Sequence, residues 1–422
     1  MLIRELIVRN VKILADQSFS FVRGDGSTRM WTVLLGDNGV CKTTILQAIA
    51  LASSGDKMTR KLVENATDYV RQNQEDRDVE IHAHFETREP LSALNPTMVI
   101  EKGRYAFAGD KDAERLDDIR DARSGGYFVV GYGTGRRLPR RGEVAIPTDP
   151  VADRVEGLFD TSHKMLGTDF FEALKERDLG PTYARVLRDV LLEQDANGDS
   201  LLPWLINMDL RGAHGVDRME KLLESRRLIV DVGGGPMKLP PHLLSQGYQS
   251  TFAWVADLLG HAFLDAGREV DPNTLEGIVL LDELDLHLHP TWQRRIVPIL
   301  RATFPRLQFV VTTHSPLVLT GFDADEIIGL ELVDGEVKQR TFVEQPGLQT
   351  GSELMESFFD VSAAGRPELL LKMRQALELS VKPDLSAADQ EQLAALREQL
   401  KPYVEASSFA AEDPSFPEGE LE

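Results

Sequence analysis

The chain has 422 residues, 42% hydrophobic and 27% charged, the balance of a folded soluble protein with two or three structural units. Its 47 Lys and Arg against 68 Asp and Glu leave a formal charge of −21, so the surface repels nucleic acid in general and any DNA contact needs a local basic patch or a partner. The single cysteine, Cys41, excludes a disulfide framework and a cysteine-based zinc site, and no apolar run approaches the ~20 residues of a membrane span. Met1-Leu2-Ile3-Arg4-Glu5 alternates and carries an acid, unlike a signal peptide, so the expected location is cytoplasmic with no membrane contact.

Ile3, Leu6, Val8, Val11 and Ile13, then Phe19, Phe21 and Val22, predict two strands joined near Asn10-Val11-Lys12 and followed by a turn at Gly24–Ser27. Trp31–Leu35 is an uninterrupted apolar strand of the kind found centrally in a parallel sheet. Helical spacing follows over Ile45–Leu51 and stops at Gly55. Residues 56–78 read as helix plus loop, Val79–Phe85 as a half-exposed strand, and Tyr127–Val130 as a short strand ending in Gly131–Arg137. Residues 138–150 read as a proline-rich connector, and 151–227 as a helical stretch broken by a solvated turn at Asp195–Asp199, whose ligand spacing is wrong for a calcium loop. Leu228–Val232 predicts a strand, Leu243–Leu264 one long apolar helix, and Ile278–Leu281 a buried strand. A helix from Pro290 to about Phe304 then leads to a strand at Gln308–Val311, closing a βαβ unit. The remainder reads as helical over about 352–403, with Ser386 and Asp389 in helix-starting positions. An acidic, disordered tail is expected over 405–422.

Between the strand at 31–35 and the helix after it lies Gly36-Asp37-Asn38-Gly39-Val40-Cys41-Lys42-Thr43-Thr44, which meets the phosphate-loop pattern everywhere but one position. The backbone N–H groups of Gly36, Asn38, Gly39, Val40 and Cys41, with the positive helix end, suit phosphate oxygens. Lys42 suits the outer two phosphates, Thr43 a magnesium ion, and Thr44 the inner phosphate. The departure is Cys41, where the pattern has glycine. Three readings stay open: a weakened but real ATP site in which the side chain crowds the phosphates, a nucleotide sensor that hardly turns over, and a redox-controlled site.

Ile278–Leu281 ends in Asp282-Glu283. A strand tip aimed at the phosphates puts Asp282 near magnesium and Glu283 where it can polarise an attacking water. His314, in Val311-Thr312-Thr313-His314-Ser315-Pro316, ends the next strand and is a candidate contact for the γ-phosphate. Ser245, Gln246 and Gly247 open the long helix as a second anion site, serving another subunit's ATP; a simple serine cap is the alternative. Asp285, His287 and His289 invite a metal reading, against which their place after the acid pair favours shaping an interface. Arg136, Arg137, Arg140 and Arg141 read either as a phosphate- or acid-binding patch or as a solvated loop.

Taken in chain order, Gly36–Thr44, Leu244–Tyr248, Leu281-Asp282-Glu283, Asp285 and His314 resemble the ABC-type P-loop ATPase heads of the SMC/RecF superfamily. Ile3–Lys12 is similar to that family's first strand, although Val11 stands where an aromatic is common. Leu284–Pro290 and Thr313–Leu317 resemble the compact bacterial antiphage ATPases of the Septu kind. The resemblance covers about 1–137 and 228–345. It implies an α/β head with a mixed sheet, a helical insertion and a C-terminal helical segment. The implied divisions are 1–150 (Walker A half), 151–227 (insertion), 228–345 (signature motif, Walker B, switch histidine), 346–404 and 405–422. It also implies ATP and Mg2+ as cofactors, with Lys42, Glu283 and His314 catalytic, Thr43 and Asp282 on the metal, and Ser245–Gly247 acting in trans in a homodimer or higher oligomer. The implied function is an ATPase regulating a partner nuclease, with HNH-type favoured, and meeting nucleic acid through that partner. A slow nucleotide sensor and a RecF-like repair or clamp ATPase are the alternatives.

Overall fold

A computed structural model describes residues 1–63, 65–71, 77–87, 93–101, 106–121, 127–136, 153–163, 165, 173–174, 176–195, 198–209, 228–361, 367–380, 382 and 386–405. Strands β1 (Leu2–Val11) and β2 (Leu14–Ser20) form an antiparallel hairpin, turning where Asn10 and Lys12 take positive φ. Ile3, Leu6 and Val8 are all fully buried. The uneven step from Ile3 to Leu6 is absorbed by a register shift between Ile3 and Glu5, where a bulge lets both side chains reach one face. The other edge of β1 pairs with β4 (Val79–Glu86), whose apolar residues are buried while His82 and His84 are half-exposed. With β5 (Thr97–Ile100) and β6 (Ala108–Gly109) they make a five-stranded antiparallel sheet in the order β2-β1-β4-β5-β6. The sequence reading leaves 86–126 unassigned; strands of four and two residues are too short for alternation to stand out. The helix Lys111–Asp121 follows β6.

The second sheet contains β3 (Trp31–Gly36), β7 (Val129–Tyr132), β11 (Gly277–Leu281), β12 (Leu307–Thr312), β13 (Ile327–Val333) and β14 (Glu336–Arg340). Its order is β14-β13-β3-β12-β11-β7, parallel except for the antiparallel β13–β14 pair. This is the mixed sheet expected. Strands β3, β11 and β12 are buried on both faces, which is why they read as apolar runs without alternation. The helix Lys42–Ser54 packs against strands of both sheets, and Ile45, Leu46 and Ile49 share one core with Leu6, Phe85, Ile278 and Val310. The crossover between β11 and β12 is two helices, Pro290–Gln293 and Ile296–Thr303, rather than the single one expected.

The stretch read as helical needs correction. Its described residues include the helices Asp153–Glu156 and Gly180–Leu192, but Leu205–Met208 is strand β8. That strand pairs with β9 (Leu228–Val230), itself paired with β10 (Met237–Leu239). Strand pairing across some twenty intervening residues decides the conformation there, and local periodicity does not report it. The predicted long helix runs Gln246–Ala266 and is buried along most of its length. Tyr183 Oη, from the helix Gly180–Leu192, donates to Ala256 O at 2.8 Å.

The chain divides into two compact units, Met1–Gln349 and Thr350–Glu422. The second holds helices Gly351–Phe359, Pro367–Ser380 and Ala387–Glu405. Ser386 and Asp389 cap the last one reciprocally, as their spacing predicts: Asp389 N donates to Ser386 Oγ (3.2 Å) and Ser386 N to Asp389 Oδ2 (2.9 Å). The connector at 138–150, the tail from 406 onward, and Arg137, Arg140 and Arg141 lie outside the described residues. No described helix is long and apolar enough to cross a membrane.

Gln308 is fully buried in the otherwise apolar start of β12. It accepts from Ile3 N (2.7 Å) and donates to Ile3 O and Arg29 O (2.9 Å each), joining the two sheets. Gln308→Leu leaves these backbone groups without partners and is expected to lower unfolding free energy by about 3 kcal/mol. Equilibrium denaturation checks this; an unchanged midpoint would show that the bridge does not matter.

Candidate nucleotide site

The site is built where parallel strands end. Strand β3 runs into the loop 36–41, and the helix Lys42–Ser54 leaves it. Gly36 has no room for a side chain, since a Cβ there would stand 2.2 Å from Leu330 O on β13. Asp37, Asn38 and Gly39 are exposed, Val40 is buried, and Cys41 is the N-cap, with Ile45 N donating to Cys41 O at 2.9 Å. Cys41 has φ 66° and ψ 22°. The glycine preference at this position therefore has a backbone origin: the left-handed region costs an L-residue roughly 1–2 kcal/mol. The half-buried Cys41 side chain packs against the hydrophobic core, so the departure from glycine falls on main-chain conformation more than on room above the phosphates.

Lys42 is buried, and its Nζ donates to Gly36 O (2.7 Å) and Asp37 O (2.8 Å). Burial pushes its pKa down, opposed by the charges of Asp282, Asp37, Glu283 and Asp285. Thr43 Oγ1 donates to Asp282 Oδ2 at 2.8 Å, joining residues 239 positions apart. The other oxygen of Asp282 accepts from Thr312 Oγ1 at 2.6 Å, and Thr312 Oγ1 accepts in turn from Glu283 N at 2.7 Å. Thr44 is buried and accepts from Lys12 Nζ at 3.2 Å. Glu283 is half-buried with φ 48°.

His314 is exposed; its backbone N donates to Asp285 Oδ1 at 3.2 Å, and Thr313 Oγ1 donates to the same oxygen. Asp285 is thereby committed to holding the turn that carries His314. His289 Nδ1 accepts from Thr291 N at 3.3 Å, and no cluster of three metal-ligating His, Cys, Asp or Glu side chains occurs among the described residues. The metal reading of Asp285, His287 and His289 is thus not supported.

Ser245 and Gln246 are exposed at the start of the long helix. Ser245 makes no side-chain capping bond, which removes the simple serine-cap reading. Gly247 fits closely against the segment after the acid pair, where a Cβ would meet His287 O at 2.4 Å. Among the described residues, none of the loop 36–44 hydrogen-bonds to Ser245, Gln246 or Gly247. The structure thus brings together the loop, Asp282, Glu283 and, through Asp285, the backbone of His314, and leaves the expected second anion site at Ser245–Gly247 apart. Sequence reasoning missed Lys12, Thr312 and the burial of Arg136. A hydroxyl ending an apolar strand two residues before His314 was the available signal for Thr312.

The donors fit a nucleotide with a hard divalent cation: exposed loop amides, a buried ammonium, and a hydroxyl beside a carboxylate. A family model described as "AAA domain, putative AbiEii toxin, Type IV TA system" matches residues 184–320, which include Ser245–Gly247, Asp282, Glu283 and His314. The Septu protein PtuA of Bacillus mycoides (strain KBAB4) is 26% identical over 79% of this chain and 40% of its own length. The Retron Vc95 probable ATPase of Vibrio cholerae serotype O1 biovar El Tor is 25% identical over 76% of this chain and 72% of its own. A solved SMC head bound to the C-terminal winged-helix domain of ScpA superposes with a TM-score of 0.51 at 15% identity, covering 82% of this chain and 99% of that one. Over about three-quarters of its length the chain is similar to these Septu and retron proteins. Its fold is that of the SMC head, an α/β P-loop ATPase fold. It spans 40% of the length of the Bacillus mycoides relative.

The left-handed N-cap makes residue 41 selective by shape. Cys41→Gly trades relieved strain against a freer unfolded chain and is expected to change stability by less than about 1 kcal/mol. Cys41→Val puts a β-branched side chain at φ 66° and is expected to cost about 2 kcal/mol. Denaturation midpoints of the two variants check the order; a valine variant as stable as wild type would refute it.

Proposed function

We propose that the chain binds and hydrolyses ATP at this site, that two copies close head to head on the nucleotide, and that the assembly regulates a partner nuclease in antiphage defence. One observation carries the ATPase reading. Thr43, in the helix after β3, and Asp282, just past the end of β11, are distant in sequence yet stand 2.8 Å apart as a hydroxyl and a carboxylate, the donor pair an Mg2+–phosphate complex needs. When bound there, the ion supplies charge neutralisation for the phosphates. Lys42, already among backbone acceptors, exchanges the carbonyls of Gly36 and Asp37 for outer phosphate oxygens. Glu283 orients the attacking water and accepts its proton, and His314 meets the γ-phosphate from the next strand.

Head-to-head closure is supported by the exposed, uncapped Ser245 at the start of a helix whose amides suit an anion. A nuclease partner, HNH-type by preference, is carried over from the resemblance and from the relation to the Septu and retron proteins. Contact with nucleic acid then falls to that partner, because a chain of net charge −21 is a poor DNA ligand by itself. A slow nucleotide sensor is the second reading, favoured by the strained Cys41 within the loop.

Lys42→Ala is expected to abolish ATP binding in calorimetry, and undiminished affinity would sink the phosphate-loop reading. Glu283→Gln is expected to keep affinity while turnover falls about a hundredfold or more; hydrolysis at the wild-type rate would remove Glu283 from the chemistry. Ser245→Arg is expected to bind ATP as a monomer and fail to dimerise on it, as light scattering reads. A Ser245→Arg protein that still dimerises and hydrolyses normally refutes the closed geometry.

A further inference from the structure

We propose that Arg136 is a positioning residue for this reaction: its guanidinium holds the main chain at Asp282 and Glu283 in the conformation that aims the Glu283 carboxylate, and ties it through Ser250 to the long helix. The proposal rests on the ATPase reading above.

Strand β7 lies parallel beside β11, with Leu281 opposite Tyr132, and Asp282 N donates to Tyr132 O at 2.8 Å. The chain leaving β7 therefore runs past the tip of β11, and Arg136 comes four residues after that contact. It is 5% exposed, so the solvated-loop reading fails for this arginine. Its guanidinium donates to Asp282 O, to Glu283 O at 2.8 Å, and from Nε to Ser250 Oγ at 3.2 Å.

Those acceptors are unusual for a strand end. Along an extended strand, successive carbonyls point to opposite sides. Here Glu283 has φ 48°, and both neighbouring amides go to one residue: Glu283 N to Thr312 Oγ1 (2.7 Å) and Leu284 N to Thr312 O (2.9 Å). The carbonyls of Asp282 and Glu283 both accept from Arg136, Glu283 O also from Leu286 N at 3.0 Å. Two carbonyl dipoles meeting at one place, one buried and one partly so, are matched by a cation with several fixed donors, which a planar guanidinium provides and a single ammonium does not. Burial lowers the pKa of Arg136 to about 10 against the raising effect of Asp282, Glu283 and Asp285, so it stays charged near neutrality. Without it, the buried Asp282 carbonyl loses its donor, Glu283 O keeps only Leu286 N, and the tip relaxes by rotating Glu283 out of the left-handed region.

Ser250 sits in the second turn of the helix that starts at Gln246. Arg136 thus contacts both the strand tip bearing the proposed water-activating carboxylate and the helix presenting the proposed trans anion site. It makes no hydrogen bond to residues 36–44. Binding and turnover should consequently separate.

The test uses the full chain as wild type, Arg136→Ala, Arg136→Lys and Ser250→Ala, with ATP affinity by calorimetry, kcat and KM, and thermal midpoint. Arg136→Ala is expected to bind ATP like wild type while kcat falls about a hundredfold, with KM little changed. Guanidinium ion at non-denaturing concentration is expected to restore part of that turnover and none in Glu283→Gln. Arg136→Lys keeps charge but loses the fork, and kcat should fall about tenfold with the thermal midpoint near wild type. Ser250→Ala is expected to keep basal turnover and lose its increase with protein concentration. Wild-type kcat in a folded Arg136→Ala, or in Arg136→Lys should the alanine variant not fold, overturns the proposal. So does loss of ATP affinity alongside turnover, since Arg136 would then act on the phosphate loop. A wild type that binds no ATP overturns the ATPase reading, a different failure from either of these.

Discussion

The hydroxyl–carboxylate contact between Thr43 and Asp282 depends on the rest of the sheet being in place. Thr43 lies in the first turn of the helix after β3, Asp282 follows β11, and Thr312 of β12, which lies between those strands, bonds the second oxygen of Asp282. Three parallel strands in register deliver their C-terminal ends to one line, and a site composed of such ends exists only if all three pairings form. Gln308, at the start of β12, ties that strand to β1, so the antiparallel sheet contributes to the alignment from the far end. The core between the sheets, with the helix Lys42–Ser54 within it, fixes the spacing that a contact of a few ångströms requires.

Charge follows the same architecture. The chain is strongly acidic, yet two buried cations, Lys42 and Arg136, stand at this one edge, each held mainly by main-chain carbonyls. A buried cation without partners is costly, and carbonyl oxygens satisfy it without neutralising it. Lys42 therefore keeps its charge available for an anion, while Arg136, bonded across three acceptors, stays committed to the scaffold.

The phosphate loop was legible because its residues are contiguous: a strand, two glycines, a lysine and a helix need only local inspection. Asp282-Glu283 and His314 were legible because each ends an apolar run. The contacts that unify them were not. Thr312 is one hydroxyl in a strand, Arg136 reads as a surface arginine among others, and Gln308 is a polar residue among apolar neighbours. Each acquires its role from strands paired across hundreds of residues, and one sequence carries no record of such pairing. The strand Leu205–Met208 was lost in the same way, its partner lying beyond a long intervening stretch. The bulge after Ile3, by contrast, was written in the uneven spacing of Ile3, Leu6 and Val8, a signal the strand reading passed over.

The backbone at the site is held away from its easiest conformations. Cys41, Glu283 and His287 all have positive φ without being glycine, and each has a local reason. Cys41 begins the helix and sinks its side chain into the core. Glu283 turns two amides onto Thr312 and two carbonyls onto Arg136. His287 presents its carbonyl to Gly247, where only a residue lacking a side chain can approach. Left-handed residues of this kind persist only when surrounding contacts over-determine them. Here those contacts come from three different segments: the core under the loop, the β7 extension carrying Arg136, and the start of the long helix. A change in either of the last two, such as the proposed closure of a second copy against Ser245, therefore has a mechanical route to the Glu283 carboxylate without moving the phosphate loop. Under the proposed function, that separation would let a nucleotide be held before it is hydrolysed.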